Sequence, residues 1–375
     1  MAVKNEVENP LNPKNKESLV YHLGDQHEGL TLAAALKELA KDASWGQVKK
    51  WISRRQIQVN GNLCLDEARR LTAKDVIKWF AQPQSKPVEV RDIRIEHLDE
   101  QLLVVAKPAG VTSVRHFNER RISTRRRQLQ PTLEELLPPV LAKMQRLRWP
   151  PLPPVGMNRG RHQTNQARNR KKPSHIQNSK KLPPELQVFP VHRLDRETSG
   201  LMLFARTRAA EQKLVSMFRR HTIRRQYQAF CSGQVDPQTI TSMLIRDRGD
   251  GVRGTLPKGA SQEEQDAALE AITHILHSEP IAGSRYSKLT CKLETGRTHQ
   301  IRIHLSELGH PICGDKIYHK LADGKILPDD SHAPRHALHS HLLEFTHPFS
   351  GEHLNFKMPL PTDLARWLKS LKNGS

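Results

Sequence analysis

The chain has 375 residues, which is enough for two or three domains with at least one large hydrophobic core. Its 60 Lys and Arg residues outnumber its 39 Asp and Glu residues and give a formal net charge of +21, so a polyanionic partner is expected. Aromatic residues make up only 5% of the chain and the sequence has no long apolar run, which favours nucleic acid as the partner and excludes a membrane.

The four cysteines lie far apart in the sequence and form no C-x-x-C pair, which argues against a disulfide framework and against a cysteine zinc site. Reduced thiols in the cytoplasm are therefore expected. The polar N-terminal segment lacks the apolar core of a signal peptide, and residues 1–18 are expected to form a flexible tail. These features predict a cytoplasmic protein.

Residues 19–82 are predicted to form a small α/β domain. Apolar residues at helical spacing after Gly29 indicate one helix, and Ser44 three residues before Gln47 has the pattern of a capping box that opens a second. The dipeptide Asn60-Gly61 predicts a hairpin, with the return strand running through Leu65. Four basic residues are placed largely on the side of the second helix away from its apolar positions: Lys49, Lys50, Arg54 and Arg55.

This arrangement of two short helices, a hairpin and a basic helix face resembles the S4-like RNA-binding domain, first described in a ribosomal small-subunit protein. The resemblance implies that the basic face contacts RNA. The alternative is a solvated charged face that binds nothing.

Residues 83–92 are predicted to be a linker, and residues 93–375 a second domain. Within it, the segment 191–201 places Asp195 in a polar loop next to arginines, just before an apolar run that predicts a buried strand. A nearby guanidinium lowers the pKa of a carboxyl group, so Asp195 is expected to be ionised and able to act as a nucleophile or base. An isolated sequence of this kind would more often be a surface ion pair.

Three further segments stand out. The first is 107–110, Lys-Pro-Ala-Gly, after a predicted strand, and the second is Tyr227 on a strand predicted over 224–230. The third is 296–305, where a helix is predicted over 298–308, with Thr298 as its N-cap. Its inner face is predicted to carry Ile301, Leu305 and Leu308.

Together these segments resemble the motifs of the RluA family of RNA pseudouridine synthases. Residues 192–201 match every fixed position of the pattern H-R-L-D-x-x-T-S-G-L, and residues 107–110 match K-P-x-G. Tyr227 occupies the tyrosine of K-x-Y-x-A, with Arg225 in the place of the usual Lys. The resemblance implies an α+β fold with a mixed, largely antiparallel sheet flanked by helices.

The resemblance also implies roles for single residues. Asp195 would act on the uridine, either by adding covalently to the sugar or base or by removing a ribose proton to leave a glycal. Arg302 would pair with Asp195 and keep it ionised, while Ile301 would line the pocket. Tyr227 would stack on the uracil and assist proton removal from carbon 5.

The target base is hidden in a stacked strand, so the nucleotide has to be flipped out. Arg193 is then expected to fill the space that the nucleotide leaves, and His192 to support the loop. The isomerisation has no redox step and the sequence has neither a G-x-G-x-x-G pattern nor a P-loop, so no cofactor is expected. The histidines at 332–341 lack an acidic or cysteine partner nearby, and a metal site is not expected there.

A basic insertion is predicted at about 145–185. No acidic residue occurs between Glu135 and Glu185, and such a composition cannot bury a core, so this segment is expected to be disordered. It would contribute phosphate contacts, or it would be an inert loop.

The expected function is isomerisation of uridines in RNA, with large-subunit ribosomal RNA as the first substrate and tRNA as the second. A monomer is expected. The competing hypothesis is a catalytically silent RNA-binding or ribosome-assembly factor built on the same fold, which would not need Asp195, Tyr227 and Arg302 together.

Overall fold

The computed structural model describes residues 18–60, 62–73, 75–81, 88–115, 131–151, 182–248, 252–319, 321 and 323–373. The chain divides into two compact units, Met1–Val88 with Arg115–Thr132 and Glu89–Val114 with Leu133–Ser375. Most of the predicted tail, half of the predicted linker and most of the predicted basic insertion lie outside the described residues. Among the described helices, none has the length and apolar content needed to cross a bilayer.

The first unit contains a four-stranded antiparallel sheet and two helices that share one hydrophobic core. The strand order is β1-β4-β2-β3. The elements are β1 Ser18–His22, α1 Leu32–Leu39, α2 Trp45–Ser53, β2 Ile57–Val59, β3 Asn62–Leu63 and β4 Val76–Phe80.

Both helices of this unit begin where the sequence places a capping side chain. The hydroxyl of Thr31 accepts the N–H of Ala34, and that of Ser44 accepts the N–H of Gln47. The predicted hairpin forms, although its return strand ends at Leu63 and does not continue through Leu65. Strands β1 and β4 were not predicted, because each is defined by hydrogen bonds to segments far away in the sequence.

The second unit is built on one large mixed sheet with helices. Within the described residues, the strand order is β11-β10-β12-β13-β9-β14-β8-β6-β5, with β7 beside β8 and β15 beside β14. The helices are α3 Leu133–Met144, α4 Arg208–Arg219, α5 Gln262–Ala267, α6 Gln300–Glu307 and α7 Thr362–Asn373. The strands are β5 Arg94–Leu98, β6 Leu102–Lys107, β7 Phe189–Pro190, β8 Ser199–Ala205, β9 Arg224–Ser232, β10 Gln238–Ile245, β11 Gly254–Thr255, β12 Leu269–Ile281, β13 Tyr286–Leu293, β14 Leu338–Thr346 and β15 His353–Lys357.

Nearly all of these strands pair antiparallel, and β14 with β8 is the parallel pair among the described strands. The predicted fold class, a mixed and largely antiparallel sheet with helices, is therefore confirmed. Every residue of β8 is buried, as the apolar run predicted.

The parallel contact explains the glycine that follows Thr198-Ser199 in the motif. Gly200 has φ +120°, and a Cβ at this position would lie 2.2 Å from the carbonyl oxygen of Ser340 on β14. The two backbones can approach this closely only because residue 200 has no side chain.

The helix predicted over 298–308 is shorter at both ends. It begins at Gln300, after His299 in the left-handed conformation at φ 62°, and Thr298 is not its N-cap. No side chain caps this helix, and the carboxamide oxygen of Gln300 instead accepts the N–H of Arg297 in the preceding turn. The side chain of Leu308 is 38% exposed, so its predicted place on the inner face was wrong.

We expect Gly200→Ala to lower the free energy of unfolding by at least about 3 kcal/mol, because it adds a steric overlap to an unfavourable φ. Gly351→Ala is the control, since Gly351 also has a positive φ, +74°, but nothing lies within 4 Å of its would-be Cβ. That change should cost only about 1–2 kcal/mol. Thermal unfolding followed by near-UV circular dichroism compares the two, and equal midpoints would contradict the packing argument.

Candidate active site

The loop that carries Asp195 lies between β7 and β8, and the side chain of a buried lysine is hydrogen-bonded to its backbone. Lys107, at the end of β6, is 1% exposed. Its Nζ donates to the carbonyl oxygens of Asp195, Arg196 and Thr198 at 3.0, 2.9 and 2.7 Å. Burial lowers the pKa of Lys107 to about 7, against the opposing charges of Glu197 and Asp195. The lysine of the K-P-x-G segment therefore clamps the backbone of the Asp195 loop.

The turn that follows Lys107 forms further hydrogen bonds with the same loop. The hydroxyl of Ser113 donates to the carbonyl of Leu194 at 2.7 Å and accepts its N–H at 3.1 Å. Gly110 donates its N–H to the carbonyl of Arg196 at 2.9 Å, and Arg196 Nε donates back to the carbonyl of Gly110 at 3.1 Å. These bonds leave the backbone around Asp195 little freedom.

The histidines that could have suggested a metal site support the other end of the loop. His336 Nε2 and the hydroxyl of Thr198 are 2.9 Å apart, and His339 Nδ1 and the hydroxyl of Ser199 are 3.0 Å apart. Within the described ranges, no group of three or more His, Cys, Asp or Glu side chains is arranged to hold a metal ion.

The carboxylate of Asp195 meets an arginine that is itself held by a second carboxylate. Arg302, on α6, donates through Nη1 to Asp195 Oδ2 at 3.2 Å. Its Nε and Nη2 donate to the two oxygens of Asp315 at 2.6 and 3.0 Å, a bidentate pair. Asp315 also accepts the backbone N–H groups of Ile317 and Tyr318. Arg302 is thus fixed in one orientation, with its third nitrogen, Nη1, directed at Asp195.

The charges around Asp195 keep it ionised. Burial by itself raises its pKa, but the charges of His299 and Arg302 outweigh burial and bring the pKa to about 2. Burial lowers the pKa of His299 to about 4, so this imidazole is neutral near pH 7 and becomes charged only in acid. At neutral pH the cation that stabilises the Asp195 carboxylate is therefore Arg302.

The same reasoning holds for the inner pair. Burial raises the pKa of Asp315, and the adjoining Arg302 outweighs burial, so the pKa lies well below the usual range. Burial lowers the pKa of Arg302, but its carboxylate partners, above all Asp315, raise the pKa by more than burial lowers it. All three groups are ionised at neutral pH.

His299 is a site residue that the sequence analysis missed. Its Nδ1 lies 2.8 Å from the hydroxyl of Tyr318, and its Nε2 lies 3.8 Å from Asp195 Oδ1. The left-handed backbone of His299 turns its ring towards the carboxylate. The sequence signal for His299 was its position directly before a helix, but that position was predicted to be Thr298.

A cleft of about 590 Å³ opens beside Asp195. Its lining includes five of the residues predicted from sequence. They are Asp195, Tyr227, Arg193, His192 and Ile301. Arg302 is not part of the lining and contacts Asp195 from the protein interior, where it is 4% exposed. The volume falls in the range of small-molecule sites.

The predicted residues differ in their surroundings. Arg193 is exposed, whereas Tyr227 is 4% exposed and burial raises its pKa, so its hydroxyl stays protonated. His192 Nε2 accepts the N–H of Leu203 at 2.8 Å, and its ring centroid lies 4.8 Å from that of Phe218. His192 is therefore bonded to the strand that follows the loop.

In the first unit, the basic residues of the predicted RNA-binding face are exposed at Lys49, Lys50 and Arg54. Arg55 lies beyond the end of α2, in the left-handed conformation at φ 64°, and is only partly exposed. Its predicted place on the helix face was wrong, because the chain turns away from the helix axis after Arg54.

A sequence profile described as RNA pseudouridylate synthase matches residues 101–307, more than half of the chain. The chain belongs to the RNA pseudouridylate synthase family. The matched range contains Asp195, Tyr227 and Arg302. The family predicted from the sequence motifs is thereby confirmed, whereas the S4-like identity of residues 19–82 stays a prediction.

Among individual relatives, the ribosomal large subunit pseudouridine synthase D of Neisseria meningitidis serogroup A is 37% identical over 198 residues, 50% of each chain. The uncharacterized RNA pseudouridine synthase YlyB of Bacillus subtilis is 28% identical over 344 residues, 90% of this chain and 93% of its own. The solved structure of human RNA pseudouridylate synthase domain containing 1 is 21% identical with a TM-score of 0.46, covering 76% of this chain and 97% of that one. The chain thus spans about half the length of the Neisseria relative.

The lowered pKa of Asp195 makes this family member's stability depend on pH. A carboxyl group with a lower pKa in the folded state contributes stability above its unfolded value, and this is lost as pH falls towards the folded value. The shift from 3.8 to about 2 corresponds to about 2 kcal/mol. We expect the difference in unfolding free energy between wild type and Asp195→Asn to shrink by about 1 kcal/mol between pH 6 and pH 3 in urea titrations.

Asp236→Asn is the matched control, because Asp236 is exposed. Its stability should follow that of the wild type across this pH range. Parallel curves for wild type and Asp195→Asn would show that Asp195 is not held ionised in the folded protein.

Proposed function

We propose that the chain is an RNA pseudouridine synthase, which isomerises uridine in RNA to pseudouridine with an aspartate and without a cofactor. The observation that carries the proposal is the carboxylate of Asp195, held ionised by Arg302 at the wall of a cleft that also exposes Tyr227. Membership of the family supports this chemistry for these residues.

The reaction breaks the bond between uracil N1 and the ribose, turns the base, and joins carbon 5 to the ribose. Asp195 either adds covalently or removes a ribose proton to leave a glycal, and both routes need the ionised carboxylate. Because Asp315 holds two of the nitrogens of Arg302, the third can donate to Asp195 without reorganising during the reaction.

Tyr227 would stack on the uracil while the base turns, and would assist loss of the proton from carbon 5. Ile301, which is 3% exposed in the cleft wall, would provide an apolar contact to the ring. Arg193 is exposed at the cleft and would fill the space of the flipped-out nucleotide. His192 would keep the loop in place through its bond to Leu203.

We place the substrate in large-subunit ribosomal RNA first and in tRNA second. The printed name of the Neisseria relative refers to the ribosomal large subunit. The excess of basic residues favours a polyanion of this kind. A monomer in the cytoplasm is part of the same proposal. The alternative, a catalytically silent RNA-binding or assembly factor, is the other outcome of the test below.

We expect Asp195→Asn to lower pseudouridine formation at least about a thousandfold, because the amide can act neither as nucleophile nor as base. The substrate is ribosomal RNA from a strain that lacks the gene, and carbodiimide-blocked primer extension maps the product. The variant should still bind this RNA. Asp236→Asn, the same chemical change at an exposed site, should retain full activity.

An inactive wild type that binds the RNA would support the silent binding factor. An active Asp195→Asn variant would remove Asp195 from the chemistry. The two outcomes are separate, because the first concerns the reaction and the second concerns the residue.

The basic face of the first unit is expected to contribute phosphate contacts. Replacing Lys49, Lys50 and Arg54 together by Gln removes three exposed charges. We expect weaker RNA binding, and a slope of log affinity against log salt that is smaller in magnitude by about 2. Filter binding at several salt concentrations measures the slope.

The control removes three exposed charges from the second unit, at Lys357, Arg366 and Lys369. It keeps the net charge equal to that of the first variant. Equal slopes for the two triple variants would mean that the face on α2 acts only through total charge.

A further inference from the structure

Arg225 on β9 is a buried cation without a carboxylate partner among the described residues. Its side chain lies in the cleft wall, and the residue is only 9% exposed. Its Nε is buried and has no hydrogen-bond acceptor in the described parts of the chain. The neighbouring Arg224 differs, because it is exposed and pairs with Glu344 at 3.0 Å. Burying a guanidinium without an anion costs several kcal/mol. This cost indicates that Arg225 has a role beyond packing.

The guanidinium is held in a defined position. Its central carbon lies 5.0 Å from the centroid of the Phe218 ring. An ideal Cβ on Gly296 would lie 3.5 Å from Nη1, so the tip of the side chain reaches the Gly296 turn that also lines the cleft. A planar fork stacked on an aromatic ring is an arrangement that suits recognition of phosphate.

The titratable groups that face Arg225 do not neutralise it. Burial, together with the charge of Arg225, lowers the pKa of His192 to about 3, so this ring is neutral at pH 7. Burial raises the pKa of Tyr227, so its hydroxyl is neutral and accepts a hydrogen bond from Arg225 without cancelling the charge. Glu270 and Glu294 also line the cleft, but neither forms an ion pair with Arg225, and Glu294 Oε2 lies 3.0 Å from His274 Nε2. The positive charge of Arg225 is therefore available to a ligand in the cleft.

The position along the strand indicates which ligand group this is. Arg225 and Tyr227 are two residues apart on β9 and are both buried, so their side chains lie on the same face, with Cα atoms roughly 6.6 Å apart. A ligand that contacts Tyr227 in the cleft therefore also lies beside the guanidinium of Arg225. We propose that Arg225 binds the phosphate of the uridine nucleotide whose base enters the cleft beside Tyr227. This inference rests on the proposed function, because it takes the cleft to be a uridine site.

The test is binding, not turnover. The full chain is titrated with uridine, 5′-UMP and 3′-UMP, and chemical-shift changes in NMR spectra give the affinities. We expect one of the two nucleotides to bind at least about tenfold more tightly than uridine, because the phosphate gains charge-assisted hydrogen bonds. In Arg225→Gln this preference should fall below about twofold, while the affinity for uridine stays within about twofold of wild type.

Arg224→Gln is the matched control, since it removes the same charge from the adjacent residue, which is exposed and paired with Glu344. It should keep the phosphate preference. Arg225→Lys keeps the charge without the fork and should keep part of the preference. If Arg225→Gln does not fold, the wild-type comparison and Arg225→Lys decide the matter, together with competition of the bound nucleotide by inorganic phosphate.

Equal binding of uridine and both nucleotides by the wild type, including no detectable binding of any, would overturn the inference. An undiminished preference in Arg225→Gln would overturn it as well. Failure of the proposed function is seen separately in the pseudouridine mapping. Pseudouridine formation without a phosphate preference would overturn only the inference about Arg225. A preference for UMP without pseudouridine formation would overturn only the proposed isomerase activity.

Discussion

The second unit depends on one buried arginine that lies between two carboxylates. Arg302 is bidentate to Asp315 and donates to Asp195 through its remaining nitrogen, so the position of the Asp195 carboxylate follows from the position of Asp315. Three ionised groups in a protein interior are tolerable only because each is paired and hydrogen-bonded. The cluster therefore ties the loop before β8 to helix α6 and to the turn that carries Asp315.

The rest of the site serves to keep the loop still. The ammonium of Lys107 and the hydroxyl of Ser113 bind the loop backbone from the turn after β6, and Gly200 lets β8 approach β14 directly after it. These bonds are made to main-chain atoms, so they hold the position of Asp195 without competing for its carboxylate. Rigid support of this kind is what a preorganised site requires.

Much of the fold and of the site followed from local patterns. Ser44 caps the second helix as its pattern indicated, and the apolar run predicted after the Asp195 segment is the buried strand β8. The failures have a common cause. Strands β1 and β4 are defined by hydrogen bonds to segments remote in sequence, and the exposure of Leu308 depends on which residues the fold packs against it.

The sequence by itself identified Asp195 and Arg302 as candidate site residues, because the motif around Asp195 and the motif that contains Arg302 are continuous stretches of residue types in a fixed order. Only the tertiary structure decided which groups surround them. Asp315 as the second anchor of Arg302, His299 beside Asp195, and Arg225 without a carboxylate partner among the described residues are facts of distance between segments. Hydrogen bonds and ion pairs act over a few ångströms, and no local pattern states which distant residues the fold brings that close.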